Sequence, residues 1–265
     1  MTLAHRVHAR NDALSSENKI HDDAVARRYG FGGGLVPGVT VYGYLTWLPV
    51  TRWGAEWLEH GTMVVRLERP VYDGDDVVAQ ADAGDANLQV TATNQHGVVC
   101  AAGHAEMSSE TVAPWSPGDF VDQRAPAPED RPPAGPESLA PGTRLGSVER
   151  RWDAPARARY LDVLGDDLDV YDRLRVAHPG GLIRAANEVL SSNVRLGPWI
   201  HVASEATSYG LVHDGDTVTT YARVADRFER KAHQFVVLDV LSAVDARPVL
   251  TVRHTAIYAP RSAAG

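Results

Sequence analysis

Positive charge and cysteine are both scarce in this chain. Lysine and arginine number 26 against 34 aspartates and glutamates, a formal net charge of −8 over 265 residues. A nucleic-acid partner needs a basic face, so none is expected. An anionic membrane surface is disfavoured for the same reason, although a local basic pocket for a phosphorylated ligand stays open. Cys100 is the only cysteine. It excludes an intrachain disulfide and a cysteine-based metal site, and it fits a reducing cytoplasm, the expected location. No apolar run approaches the roughly 18 residues of a membrane-spanning helix. Met1-Thr2-Leu3-Ala4-His5-Arg6 lacks the apolar stretch of a secretory leader, and none is expected. The chain carries no Gly-x-Gly-x-x-Gly at a helix start, and no Lys-Ser/Thr follows Gly30-Phe31-Gly32-Gly33-Gly34. His-Glu-x-x-His spacing is missing among the 11 histidines, as is a Gly-x-Ser-x-Gly elbow. Neither a nucleotide cofactor nor a metal is expected.

What is present begins with an ordinary globular composition, 44% hydrophobic and 23% charged, with length enough for two domains of about 100–130 residues. Residues 111–143 interrupt the chain. Pro114, Pro117, Pro126, Pro128, Pro132, Pro133, Pro136 and Pro141 are half of the 16 prolines. Proline fixes φ and removes a donor, so this segment reads as an extended connector rather than a helix or a central strand. Trp115 and Phe120 suggest that parts of it pack on a surface. The chain thus divides into 1–110, the connector 111–143, and 144–265.

The two halves share landmarks. Val36-Pro37-Gly38 opens an apolar helical stretch to about Trp57, then a strand at Thr62 to Leu67, then Gly74-Asp75. His178-Pro179-Gly180 opens a helical stretch to about Asn193, then a strand at Trp199 to Ala206, then Gly215-Asp216. The spacings agree to within about one residue, a repeat signal. Val77 to Ala83, Leu88 to Thr93 and Val98 to Met107 alternate as half-buried antiparallel strands. So do Thr217 to Val224, Gln234 to Leu241 and Val249 to Tyr258. Each half therefore predicts a long helix followed by about four strands, the order of a curved antiparallel sheet around one helix. Val41, Tyr44, Leu45, Leu48, Trp53 and Trp57 make the first helix apolar on more than one face, as such wrapping requires.

The densest motif is Ser15-Ser16-Glu17-Asn18-Lys19-Ile20-His21, running into Gly30-Phe31 and Val36-Pro37-Gly38. It resembles the signature of the MaoC-like family, the (R)-specific enoyl-CoA hydratases and 3-hydroxyacyl-thioester dehydratases. Asn18, Ile20, His21, Gly30, Phe31 and Gly38 match. Ser15 stands where the signature has Gly, Lys19 where it has Pro, Pro37 where it has His, and Ser16 where it has the acid/base Asp. The resemblance implies an α+β tandem (double) hotdog whose halves pair edge to edge, as two chains do in single-hotdog relatives. It also implies acyl-thioester chemistry, with coenzyme A or a carrier protein as part of the substrate.

An imidazole titrates near neutrality and can take a proton from water and return it to carbon, so His21 is the candidate acid/base. Ser16 would hold the water, although a hydroxyl cannot ionise near neutral pH. Glu17, Asp22 and Asp23 are the carboxylates nearest in sequence. Free amides at Gly38 would stabilise an oxyanion on the thioester carbonyl, as the resemblance implies. Asn18 braces the loop or touches the carbonyl, and Phe31 is expected to bind substrate. Asn187, on an otherwise apolar helix, needs a partner, either substrate or backbone. The basic cluster Arg227 to His233 could receive coenzyme A phosphates, with Arg230 and Lys231 as its main cations.

Gly165-Asp166-Asp167-Leu168-Asp169-Val170-Tyr171 repeats the motif in altered form: Asp166 takes the Asp position and Tyr171 the His position. This half is expected to be non-catalytic and to help shape the acyl tunnel, with His178 a helix-start residue. The leading expectation is a hydro-lyase acting on trans-2-enoyl or 3-hydroxyacyl thioesters. Alternatives are a hotdog thioesterase or specialised acyl-thioester enzyme, and a non-catalytic acyl-thioester-binding protein. The first helix carries only Glu56, near its end, which counts against hydrolysis. Further pairing into a homodimer of pseudo-dimers is possible.

Overall fold

Alternation along the strands closes a single ladder in the computed structural model, which describes residues 2–83, 87–108, 113–120 and 123–261. The first half runs β1 (Thr2–His8), a 3-10 turn at Lys19–His21, α1 (Asp23–Arg28), α2 (Gly38–Trp53), α3 (Ala55–His60), β2 (Gly61–Leu67), β3 (Asp76–Ala83), β4 (Asn87–Asn94) and β5 (Val99–Met107). The second runs β6 (Arg144–Arg151), α4 (Ala154–Leu164), α5 (Val170–Leu174), α6 (Pro179–Asn193), β7 (Ile200–Ser208), β8 (Thr217–Arg230), β9 (His233–Val244) and β10 (Arg247–Ala259).

The sheet has ten antiparallel strands in the order β1-β3-β4-β5-β2-β7-β10-β9-β8-β6. The second half repeats the first, strand for strand, about an axis between β2 and β7. There Met63 stands opposite Ala206 and Val64 opposite Glu205. This is the tandem hotdog that the resemblance implies, joined edge to edge. Each half has five strands rather than four. β1 and β6 escape a reading by alternation because both are short outer strands rich in charged or polar residues, and the β6 ladder is interrupted between Leu145 and Val148.

The turn before β3 and the turn before β8 use one device. Gly74 and Gly215 take positive φ. Asp75 then accepts from the Tyr72 amide at 2.8 Å and Asp216 from the His213 amide at 2.7 Å, closing each turn through a carboxylate.

α2 is buried on almost every side, from Val39 to Val50. It does not continue to Trp57 as the sequence predicts. Gly54, at φ 63°, stops it, and α3 starts at Ala55. α2 and α6 touch at their backbones: a Cβ on Gly180 would sit 3.0 Å from the Cα of Gly43. One apolar cluster, including Leu45, Met63, Ile183 and Leu250, runs through both halves, so the repeats share a core.

The proline-rich connector packs on the second half. Phe120 is buried against Tyr221, with ring centroids 6.0 Å apart, and Arg223 lies over Trp115 and Phe120. Farther on, Arg195 donates its amide to the Pro132 carbonyl at 2.7 Å, and Ala134 donates to that of Arg195 at 3.0 Å. These bonds bring Arg131 beside the end of α6.

Candidate active site

The loop between β1 and α1 carries the motif, and its own polar groups shape it. Asn18 caps the 3-10 turn by accepting from the Ile20 amide at 3.3 Å. Ser16 Oγ accepts from the Asn18 amide at 3.1 Å. Asp22 caps α1, and Asp23 accepts from the Gly34 amide at 2.8 Å. Both carboxylates are therefore committed to the backbone. A Cβ at Gly34 would lie 2.2 Å from the His21 carbonyl oxygen, so only glycine lets the two strands of this loop close.

His21 is fixed at one nitrogen. Its Nδ1 lies 2.7 Å from the Leu35 carbonyl. A carbonyl can only accept, so Nδ1 carries the proton and Nε2 is the open acceptor. The Asn18 amide nitrogen lies 3.4 Å from Nε2. Burial lowers the pKa of His21, an effect opposed by the Leu35 hydrogen bond and by Asp12. The folded protein thus holds a neutral imidazole suited to receiving a proton.

The other half completes the site. The Asn18 side chain accepts from the Trp199 amide at 3.1 Å and donates to the Trp199 carbonyl at 2.9 Å. The motif loop is pinned to the start of β7 by this pair. Two cavities meet at Asn18, His21, Pro37, Asn187 and Trp199. The first, of about 380 Å³, is polar and includes Ser16, Glu17, Arg131, Arg184, Ser191 and Arg195. The second, of about 280 Å³, is apolar and includes Ile20, Phe31, Leu35, Val41, Leu67 and Ile257.

Gly38 begins α2 on the wall of the apolar limb. A Cβ there would lie 2.3 Å from Leu67 and 2.7 Å from His201 Nδ1, so close packing requires the glycine. In the first turn of α2 the Thr40 and Val41 amides donate to the Pro37 carbonyl at 2.9 and 3.1 Å, which leaves those of Gly38 and Val39 as the helix-start donors. Asn187 faces both limbs, and its Oδ1 is buried without a hydrogen-bond partner among the described residues. Such an oxygen is costly unless a ligand or water donates to it.

Ser16 shares the polar limb with His21, and its hydroxyl keeps a proton to donate. Glu17 reaches outward and pairs with Arg131 at 3.1 Å. Arg230 and Lys231 stand at the β8–β9 hairpin and line neither limb; only their neighbour His233 reaches the apolar one. The site also draws on groups outside the motif. Asp12, the carboxylate that acts on His21, is bound by Arg184 at 2.5 Å and by Thr40 at 3.2 Å. Trp199, Arg131 and Arg195 enter from the second half and the connector. The one sequence signal for Arg184 is a charge within the apolar face of α6.

The second loop is built differently. His178 caps α6 by accepting from the Gly180 amide at Nδ1, 3.1 Å away. Its Nε2 therefore carries the proton, 3.2 Å from Asp166 and 3.2 Å from Thr46. The side chains of His178 and Asp166 are both buried, 0% and 1% exposed. Tyr171 packs on His178 with centroids 4.8 Å apart, and burial raises its phenol pKa well above the usual value.

No known protein-family profile matches the chain, and no curated protein sequence matches it. Solved structures do. A conserved hypothetical protein from Mycobacterium tuberculosis with a double hotdog fold is 17% identical, with TM-score 0.62 over 97% of this chain and 95% of that one. A putative MaoC-domain dehydratase from Chloroflexus aurantiacus is 11% identical, with TM-score 0.65 over 99% and 95%. The dehydratase domain of PpsC from Mycobacterium tuberculosis, solved in complex with C12:1-CoA, is 13% identical, with TM-score 0.54 over 97% and 94%. The chain is a double hotdog whose structural neighbours include MaoC-like dehydratases.

Proposed function

We propose that the protein is an acyl-thioester hydro-lyase that interconverts 2-enoyl and 3-hydroxyacyl thioesters at the His21 site, without a cofactor. The observation that carries this reading is His21 itself. Its Nδ1 is fixed on the Leu35 carbonyl, and its residue lines the junction of a polar and an apolar limb. In the hydration direction, Nε2 takes a proton from water as the water oxygen bonds to the β-carbon. Electrons move to the thioester oxygen, where the amides at the start of α2 would stabilise the enolate. The imidazolium then returns the proton to the α-carbon, and the imidazole is restored. One group taking and returning the proton serves one face of the double bond, so syn addition is expected. Ser16 would orient the water but cannot share the acid/base work, so turnover should be modest.

The neighbours support this reading through the fold they share and through the C12:1-CoA bound to one of them. Hydrolysis is less well supported: α2 carries no carboxylate along its length. Binding without turnover is the second reading, favoured by the serine at position 16 and by the commitment of Asp22 and Asp23 to the backbone. Mass spectrometry of trans-2-enoyl-CoA and 3-hydroxyacyl-CoA panels, with wild type and His21→Ala, separates the two. Interconversion that disappears in the variant supports the hydro-lyase. Wild-type binding without turnover of any member of the panel sinks it.

A further inference from the structure

Carriers of acyl thioesters are themselves chemically graded. The pantetheine arm has two amides and ends in a phosphate, whereas the acyl group is apolar in the simplest cases. The cavity has a matching gradient. His21 sits at the junction; one limb is lined mainly by apolar residues such as Leu67 and Ile257, with Glu68 and Arg69 also on its wall, and the other gathers Ser191, Glu188, Arg131, Arg184 and Arg195. In a chain of net charge −8, three guanidinium groups in one limb, against Arg69 alone in the other, favour an anion there.

The arrangement of these arginines is specific. Arg131 comes from the proline-rich connector, its side chain only 17% exposed, and its Nε is buried without a partner among the described residues. Arg195 donates from its guanidinium to the Arg131 carbonyl at 3.2 Å, which fixes the two residues side by side. The third guanidinium of this limb, Arg184, is already held by Asp12. Among the described residues, the Arg131 guanidinium is held only by Glu17, whose side chain is 82% exposed. An ion pair with so exposed a partner is weak and readily exchanged.

We infer that Arg131 and Arg195 form the phosphate site for the carrier arm, with Glu17 occupying Arg131 until the phosphate displaces it. The connector between the repeats is then a wall of the substrate site, and the arm enters through the polar limb while the acyl chain fills the apolar one. This rests on the acyl-thioester reading above, but its test does not depend on turnover.

The test is calorimetric binding of 4′-phosphopantetheine and of pantetheine, which lacks the phosphate, to the full chain. The ligands are offered to wild type, Arg131→Gln, Arg195→Gln, Glu17→Gln and an Arg230→Gln/Lys231→Gln double variant. The wild type should prefer the phosphorylated arm by about tenfold or more, as charge-assisted hydrogen bonds to a desolvated anion would give. Each arginine variant should erase most of that preference, and Glu17→Gln should enlarge it. Loss of the preference in the double variant instead would move the site to the β8–β9 hairpin. Equal loss for both ligands in Arg131→Gln, with Glu17→Gln behaving the same way, would make the Arg131–Glu17 pair a structural clamp and overturn the inference. If Arg131→Gln discriminates neutral from carboxylate-bearing acyl thioesters but not the two arms, the anion belongs to the acyl group and the assignment to the carrier fails. Failure of the hydro-lyase reading would show separately, as binding of both arms with no turnover of any thioester.

Discussion

The two motif loops occupy equivalent places in the repeat, and one is open where the other is sealed. Each leans on the long-helix region of the opposite half: Asn18 and His21 meet Trp199 and Asn187, while Asp167 accepts from Trp47 at 3.0 Å. The difference turns on the N-cap residue of the long helix. In the second half it is His178, whose imidazole bonds to Asp166 and fills the space between Tyr160 and Tyr171. In the first half Pro37 stands beside Gly38. It offers no polar side chain, and both cavity limbs run past it. A hydrogen-bonded Asp–His pair is therefore not by itself a sign of a working site. In the second half the carboxylate is engaged in internal bonding to a buried histidine.

The comparison breaks most sharply at the histidine. His21→Ala should lower turnover by roughly 10²- to 10⁴-fold, the usual worth of a positioned acid/base, while Tyr171→Phe leaves kcat/KM unchanged; steady-state rates on one enoyl thioester compare them. If both variants fall equally, the second loop is not merely structural. Asp166→Ala should act the other way. Leaving the buried His178 N–H without its carboxylate partner costs about 1–3 kcal/mol, so chemical unfolding should show a loss of stability, while rates per folded molecule persist.

Smaller effects sharpen the contrast. Ser16→Asp restores a carboxylate to the open loop and should raise kcat by about tenfold, the low end of a second acid/base contribution. It should also move the acid limb of the pH profile upward, because a nearby anion favours the imidazolium. In the wild type, burial lowers the His21 pKa, so kcat/KM for hydration should hold below pH 6.5 before falling. Stability has its own pH dependence, set by the sheet. His201 and His254 stack at 4.3 Å and share Ser204, at 2.9 and 3.0 Å. Burial lowers both pKa values, that of His201 to about 4. The unfolded chain therefore binds protons first as pH falls, and stability should decline from about pH 6.5 toward about 4. Urea unfolding across that range should show the slope, and His201→Gln should flatten it.

Much of the fold was legible because its strands and helices obey simple periods. β4 and most of β8 alternate cleanly, β9 is an unbroken buried run, and the repeated Pro-Gly and Gly-Asp landmarks mark the duplication. β1 and β6 were not legible, since the edge of a sheet tolerates the charges that a central strand excludes. His21, Asn18 and Gly38 could be placed from local spacing. Asp12, Trp199 and Arg131 could not: the last two meet the motif from more than 100 residues away, and no local pattern records that approach. Arg230 and Lys231 are a conspicuous local charge density that folding carries to the β8–β9 hairpin, where neither lines a limb and only their neighbour His233 reaches the apolar one.

The join between β2 and β7 also bears on how the protein behaves when scarce. A site assembled from two separate chains dissolves on dilution, because its halves must find each other. Here the halves are tethered and meet at an effective concentration in the millimolar range, and one core runs through both. Asn18 thus keeps its hold on Trp199 at any protein concentration, and activity per molecule should be the same at nanomolar levels as at micromolar ones.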